Sequence, residues 1–213
     1  MTTQIELERP LAADDESAKR RQIIDGARAV FLAQGFDAAS MGEIARAAGV
    51  SKGTLYVYFK NKEELFEAIV DQECGVQAER VFALDPHDPD LETTLTKCGI
   101  AYVNFLCRPE KASALRIVMA IADRMSGIGR KFYEQGPAIG IAKLAAFLKA
   151  LVDAGTLEIS DCEVAAAQLL DSFQSTMFKP LIFNFGGPPA PERIEHVVGM
   201  AVRAFLAAYR RRA

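Results

Sequence analysis

The chain has 213 residues, half of them hydrophobic and a quarter charged. That balance excludes a disordered or fibrous chain, and the length allows one large domain or two small ones with a sizeable core. A net charge of −3 speaks against a nucleic-acid binder until the chain is divided. Residues 1–16 hold one Arg against five acids, net −4; residues 17–65 hold eight Lys and Arg against five acids, net +3; residues 66–213 are net −2. The positive charge is concentrated in one short segment. A solvated basic face is common, so charge alone does not decide what that segment does.

In chain order, the opening MTTQIELERPLAADDES is acidic and lacks a signal peptide's basic start and apolar centre. Residues 1–16 read as a disordered tail. Later apolar runs are short and interrupted, so no membrane span is expected and the reading is a cytoplasmic chain. A first helix is predicted from about Ser17 to Gln34, with Ile23, Ile24, Ala27, Val30 and Phe31 inward. Gly35 ends it as a left-handed cap, closed by Phe36. Ser40 and Glu43 form a capping box that opens a second helix at Met41, and Gly49 stops it. Ser51 caps a short third helix ending near Tyr58. Asn61 and Glu64 open a long fourth helix to about Phe82.

The run LDPHDPD is a break. Beyond it Leu91, Leu95, Cys98, Tyr102 and Phe105 mark one face of a fifth helix. Pro109 starts a sixth, apolar nearly all round and so expected in the middle of the core. Leu144, Leu148 and Leu151 mark the eighth helix. Ser160 and Glu163 box the start of the ninth, which Pro180 should kink or end. The last helix carries Ile194, Val197, Val198, Ala201, Phe205 and Ala208. The prediction is all-α, with about nine to ten helices: a three-helix unit over 17–65 and a larger helical domain over 66–213.

Cys74, Cys98, Cys107 and Cys162 form no CxxC pair. Cys98 and Cys107, nine residues apart on one helix, would be about 13 Å apart, too far to bridge. Buried apolar thiols are one reading and a redox switch the other. His87 and His196 are isolated, and neither a metal cluster nor a cofactor motif is present. No nucleophile–His–acid set and no phosphate loop point to an enzyme.

The stretch SMGEIARAAGVSKGTLYVYFKNKEEL, residues 40–65, holds two short helices joined by a tight turn. Such a pair can place its second helix in the DNA major groove. Ala45, Ala48 and Gly49 allow the close crossing, and Ile44, Val50 and Leu55 fill the small core. Ser51, Lys52, Gly53 and Thr54 then stand at the outward start of the reading helix, where Lys reaches guanine and Thr reaches a base edge or thymine methyl. Tyr56, Tyr58, Lys60 and Lys62 follow as phosphate contacts. A plain three-helix bundle with exposed lysines is the alternative.

Residues 17–65, and ARAVFLAQGFDAASMGEIARAAGVSKGTLYVYFKNKEELF in particular, resemble the helix-turn-helix domain of the tetracycline-repressor (TetR) family. RPEKASALRIVMAIADR and FYEQGPA resemble the C-terminal domain of its AefR-like members. The resemblance implies a phosphate contact at Ser40, base reading at Lys52, Gly53 and Thr54, and DNA-backbone contacts at Tyr56, Tyr58 and Lys62. Val57 would face a thymine methyl or nothing. Lys19, Arg20 and Arg21 occupy the place of arms that reach the minor groove in some members.

The resemblance also implies a homodimer on a palindromic double-stranded DNA operator, controlled by a small molecule. The expected effector pocket lies among helices five to nine. Its candidate lining is Tyr102, Phe105, Met119, Tyr133, Phe147, Phe173 and Met177, with Arg116 as an anchor for an anion or as a partner of Asp123. Candidate dimer residues are Ala165 and Leu169 on the ninth helix and Val197, Val198, Ala201 and Phe205 on the last. These stripes either meet a partner's in a four-helix bundle or pack within one subunit; the resemblance favours the dimer. A repressor is the leading expectation, and an activator or a ligand-independent regulator the alternative.

Overall fold

The computed structural model describes residues 11–211, with side chains over 16–72, 81–125 and 127–211. Eleven helices lie in this range: α1 (Leu11–Ala38), α2 (Met41–Ala47), α3 (Lys52–Tyr58), α4 (Lys62–Val81), α5 (Leu91–Leu106), α6 (Pro109–Ile121), α7 (Ser126–Gln135), α8 (Pro137–Asp153), α9 (Cys162–Phe173), α10 (Phe178–Ile182) and α11 (Pro191–Tyr209). Among the described residues the β structure is a single bridge between Leu157 and Arg210. The chain forms two compact units that divide between Ile69 and Val70.

In the first unit α1 begins at Leu11, six residues before the expected start. The acidic run 11–16 is therefore helical; residues 1–10 of the expected tail lie outside the described residues. Gly35 breaks the helical path at φ 79°, ψ 170°. Its φ is positive, as a glycine allows, but its ψ is extended, so it is a kink and not a left-handed helical cap. The kink swings Phe36 back onto Phe31 and Phe66, with ring centroids 5.3 and 5.7 Å away. These rings, with Ile23, Ile24, Ile44, Leu55 and Leu65, are the buried core of the unit. Two edge-on pairs in the trio add to plain burial.

In the second unit the core is built from α5, α8, α9 and α11. Leu95, Leu144, Leu148, Phe173 and Val198 are almost fully enclosed in it. At Gly99 an added methyl carbon would lie 2.6 Å from Val198 and 2.8 Å from Phe173, so α5 approaches its neighbours there without a side chain between. Helix α6 does not occupy the middle. Only Ala112, Ala114, Val118 and Ile121 are buried on it, and Met119 is 62% exposed. An all-round apolar sequence fixed no single inward face, and α6 packs as a half-covered outer helix.

Other expectations are also corrected. Asp161 caps α9, accepting from the amides of Glu163 and Val164 at 3.1 and 3.0 Å, in place of the Ser160–Glu163 box. Pro180 sits inside α10, whose separate turn accounts for the extra helix. The dimer candidates Ala165, Leu169, Val197, Val198 and Phe205 are buried inside the one chain, and Ala201 packs against the same core. Those stripes are intrasubunit. Gly127–Asp153 is long and apolar enough, by length and composition, to cross a membrane. It is broken at Gly136 (φ −115°, ψ −91°), and α8 turns Leu144, Phe147, Leu148 and Leu151 into the core.

Candidate nucleic-acid interface and ligand cavity

The helix pair α2–α3 is held by its own caps. Ser40 and Glu43 close a reciprocal box: the Glu43 amide donates to Ser40 Oγ at 3.3 Å, and the Ser40 amide donates to the Glu43 carboxylate at 3.0 Å. The Ser40 hydroxyl, with its backbone amide, holds the Glu43 carboxyl below its ordinary range. Ser51 caps α3 by accepting from the Thr54 amide at 3.0 Å, and its hydroxyl lies 2.8 Å from that of Thr54. Gly49, at φ 63°, makes the turn between the helices.

Close packing sets the pair against α1. A methyl carbon at Gly26 would come within 2.6 Å of Ala48 Cβ and 2.7 Å of its backbone. Gln22 Nε2 donates to the Ala48 carbonyl at 2.7 Å, at the end of α2. Sequence reasoning missed both residues. The available signal was a glycine in the interior of a helix, which implies a close neighbour.

On the outer side of α3, Ser51, Lys52, Gly53 and Tyr56 are exposed, while Thr54 and Tyr58 are half-buried. Val57 is 82% exposed. An aliphatic side chain so open on a capped helix has no packing role there. The Lys52 side chain folds across Gly42, where a methyl carbon would meet its Cε at 2.9 Å and its Nζ at 3.2 Å. Phe59 is core, with the Arg20 guanidinium 5.1 Å above its ring. Arg20 is thus placed against the body of the unit.

Lys62 differs from the expectation of a DNA-backbone contact. Its ammonium donates to the carbonyls of Phe36, Asp37 and Ala39 at 2.9, 3.0 and 3.4 Å. It also stands 4.7 Å over the Phe36 ring. Three donors meet three acceptors, which fastens the first turn of α4 to the α1–α2 connection.

The second unit holds a cavity of about 450 Å³ among α4, α5, α6, α7, α8, α9 and α10. Its size is within the ordinary range for small-molecule sites. Tyr102, Phe105 and Tyr133 line it, as the sequence predicted. Burial, and next the Asp171 carboxylate, push the Tyr102 hydroxyl up, so it keeps its proton. Five candidates are corrected. Phe147, Phe173 and Met177 are core residues away from the cavity, and Met119 faces solvent. Arg116 clasps the end of α10, donating to the carbonyls of Leu181 and Ile182 at 3.1 and 3.5 Å and to Ser113 Oγ at 2.8 Å. A guanidinium suits the carbonyl end of a helix, and this one does not pair with Asp123. Phe82, Lys111, Phe132, Gly140, Asp171 and Phe178 line the cavity and were missed.

Cys98 and Cys107 are buried free thiols. Burial pushes them to about 12 and about 11. A protonated, enclosed thiol is a poor nucleophile, which favours the packing role over a redox switch at these two positions. The Cys74 side chain lies outside the described residues. Among the described residues no cluster of three His, Cys, Asp or Glu could hold a metal ion.

Residues 23–69 match the profile of bacterial regulatory proteins of the tetR family, and residues 93–211, more than half of the chain, match that of the AefR-like transcriptional repressor C-terminal domain. The chain belongs to the TetR family. These are transcriptional regulators, not enzymes, and DNA binding belongs to their helix-turn-helix unit. A protein described as a TetR-family transcriptional regulator from Mesorhizobium loti is 31% identical, with a TM-score of 0.83 over 92% of this chain and 98% of that one. The flavonoid-responsive regulator FrrA is 32% identical, with a TM-score of 0.77 over 92% and 100%. A transcriptional repressor of Mycobacterium tuberculosis, Rv1474c, is 36% identical over 63 residues, 30% of this chain and 34% of that protein. The chain thus spans about a third of the curated TetR relatives it matches first.

Proposed function

We propose that this TetR-family chain is a dimeric repressor that reads a palindromic operator with α3 and leaves it when a small molecule fills the cavity of the second unit. The observation that carries the reading is the outer side of α3. A helix capped by Ser51 presents Lys52, Gly53 and an 82% exposed Val57, and a valine open on that side can meet a thymine methyl. Ser40, Ser51, Thr54, Tyr56 and Tyr58 stay with this surface. Lys62 is assigned instead to holding it together. Helix α4 starts with Lys62 and ends with Val81 on the cavity wall. A ligand that favours one position of α4 would bias the reading heads toward one separation.

For the dimer, the outward sides of α9 and α11 replace the buried stripes. Val164, Gln168 and Ser172 on α9 and Met200, Ala204 and Ala207 on α11 are exposed. Uncharged side chains of this kind let two such helix pairs form a four-helix bundle. Met200, 53% exposed, is the test position. Met200→Glu is expected to shift the sedimenting species from dimer to monomer while changing unfolding free energy by less than about 0.5 kcal/mol. A fully dimeric Met200→Glu protein would place the interface elsewhere.

The first experiment is capture of genomic DNA fragments by the purified protein, followed by affinity measurements on single-base variants of the recovered site. A two-fold repeat is expected, with half-site centres about one helical turn or somewhat more apart. Lys52→Ala should relax preference at one base position in each half-site, costing about 1–3 kcal/mol there. A uniform loss across all variants would show Lys52 to be a phosphate contact. Deletion of the gene should raise transcription from the recovered site; a fall would make the protein an activator.

A further inference from the structure

Gly42 is the second residue of α2, a helix of seven residues. Glycine is a poor helix former, so a short helix carries one at a cost. Space accounts for it. The Lys52 stem crosses α2 at this point. A methyl carbon on Gly42 would lie 2.9 Å from Lys52 Cε and 3.2 Å from its Nζ, inside the about 3.5–4.0 Å at which carbon atoms rest against each other. Any side chain at 42 would push the lysine off. Ser40 Oγ lies 3.9 Å from the same point, so the ammonium rests beside the cap of α2.

The crossing is not a polar clasp. Among the described residues the Lys52 ammonium has no hydrogen-bond or ion-pair partner. Glu43, the acid of that turn, directs its carboxylate to the amide and hydroxyl of Ser40 at 3.0 and 2.7 Å. Lys52 is exposed and is the first residue of α3, an end where helix amides favour an anion over a cation. Its charge is therefore open to an outside partner. A lysine stem is long and flexible, and ordering it on binding costs affinity. A seat on bare backbone removes part of that freedom before DNA arrives.

We infer that Gly42 is a positioning residue for operator recognition: its bare backbone seats the Lys52 stem and so fixes where the ammonium is presented, on the reading that α3 enters the DNA groove. Gly42 acts through Lys52 and not by touching DNA. Gly42→Ala meets only the far end of a flexible side chain, so it should melt at or slightly above the wild-type temperature, alanine being the better helix former. In the free full chain, carbon-13 relaxation at Lys52 Cε should show more order than at the exposed Lys60. In Gly42→Ala the two lysines should match.

DNA affinity is read on the site recovered from the genome, on its single-base variants and on a scrambled duplex of equal length. Gly42→Ala should weaken the recovered site about fivefold or more, the lower end of what one base contact discriminates. The loss should fall at the operator position that Lys52→Ala affects. The Gly42→Ala, Lys52→Ala double variant should bind as Lys52→Ala alone does, since neighbours acting through one contact are not additive. Additive losses would mean that the methyl obstructs DNA itself, and would overturn the inference. So would wild-type affinity in Gly42→Ala, or tighter binding, which would make the seat a resting place that Lys52 must leave. The DNA reading is scored separately. If the wild-type chain does not prefer the recovered site to the scrambled duplex, the groove reading of α3 fails; loss of Lys52 order in Gly42→Ala still upholds the seat, and unchanged order overturns it.

Discussion

Phe205→Glu is expected to unfold the second unit, not merely to separate two subunits. Phe205 is 7% exposed and its ring lies 4.9 Å from that of Tyr209, in the layer shared by α5, α9 and α11. Losing a buried Phe costs about 3–5 kcal/mol through lost transfer energy and the space left behind. Leaving a carboxylate there without a partner costs several more, unless the group takes up a proton. The sum approaches the whole stability of an ordinary domain, about 5–15 kcal/mol. Circular dichroism should show lost helix at ambient temperature, with dye binding to exposed apolar surface. Met200→Glu provides the contrast, because it places the same charge five residues earlier on the outward side of α11. If Phe205→Glu melted cooperatively near the wild-type temperature and sedimented as a monomer, the expectation from the stripe alone would have been right and the core assignment wrong.

That contrast marks where the sequence is readable. Caps were legible because their chemistry is local. The Ser40–Glu43 box and the Ser51 cap join residues three apart, and both are present. The helical phases of α5 and α8 were legible for the same reason, since a stripe at 3.6-residue spacing names its own inward face. What covers the stripe is not written in it. Val198 and Phe205 read equally well as core or as interface, and family resemblance tipped the expectation toward the interface although their cover is the chain's own α5 and α9. Long-range contacts were the other blind spot. Lys62 looks like a surface cation among Lys60, Asn61 and Glu63, but its acceptors are 23 to 26 residues back. Arg116 finds carbonyls 65 and 66 residues ahead. The cavity was half legible. Large aromatics on the right helices were named, but which of them face an opening depends on how seven helices meet, and Asp171 and Lys111 look like ordinary surface charges until that is known.

Two glycines separate the fold of the reading unit from its use. Gly26→Ala is expected to destabilise the first unit by about 1–3 kcal/mol, because the new methyl meets Ala48 backbone at 2.7 Å and one helix must move off the other. The gain in helix propensity, at most about 1 kcal/mol, does not offset this. Gly53 lies in the first turn of α3, where the nearest atom to an added methyl is Ser51 Oγ at 3.7 Å, an ordinary contact. Gly53→Ala should therefore fold as well as the wild type or slightly better. On the proposed reading it should still bind the operator more weakly, since the methyl stands on the surface that enters the groove and holds the backbone away from the bases. The two variants should fail differently. Gly26→Ala should lower the fraction of active protein and regain binding on cooling toward its temperature of maximum stability. Gly53→Ala should lose affinity at every temperature with no change in melting. Hydrogen exchange of the α2 and α3 amides, measured beside operator affinity, distinguishes them. A Gly53→Ala protein that binds the operator as tightly as the wild type would mean that the start of α3 does not enter the groove.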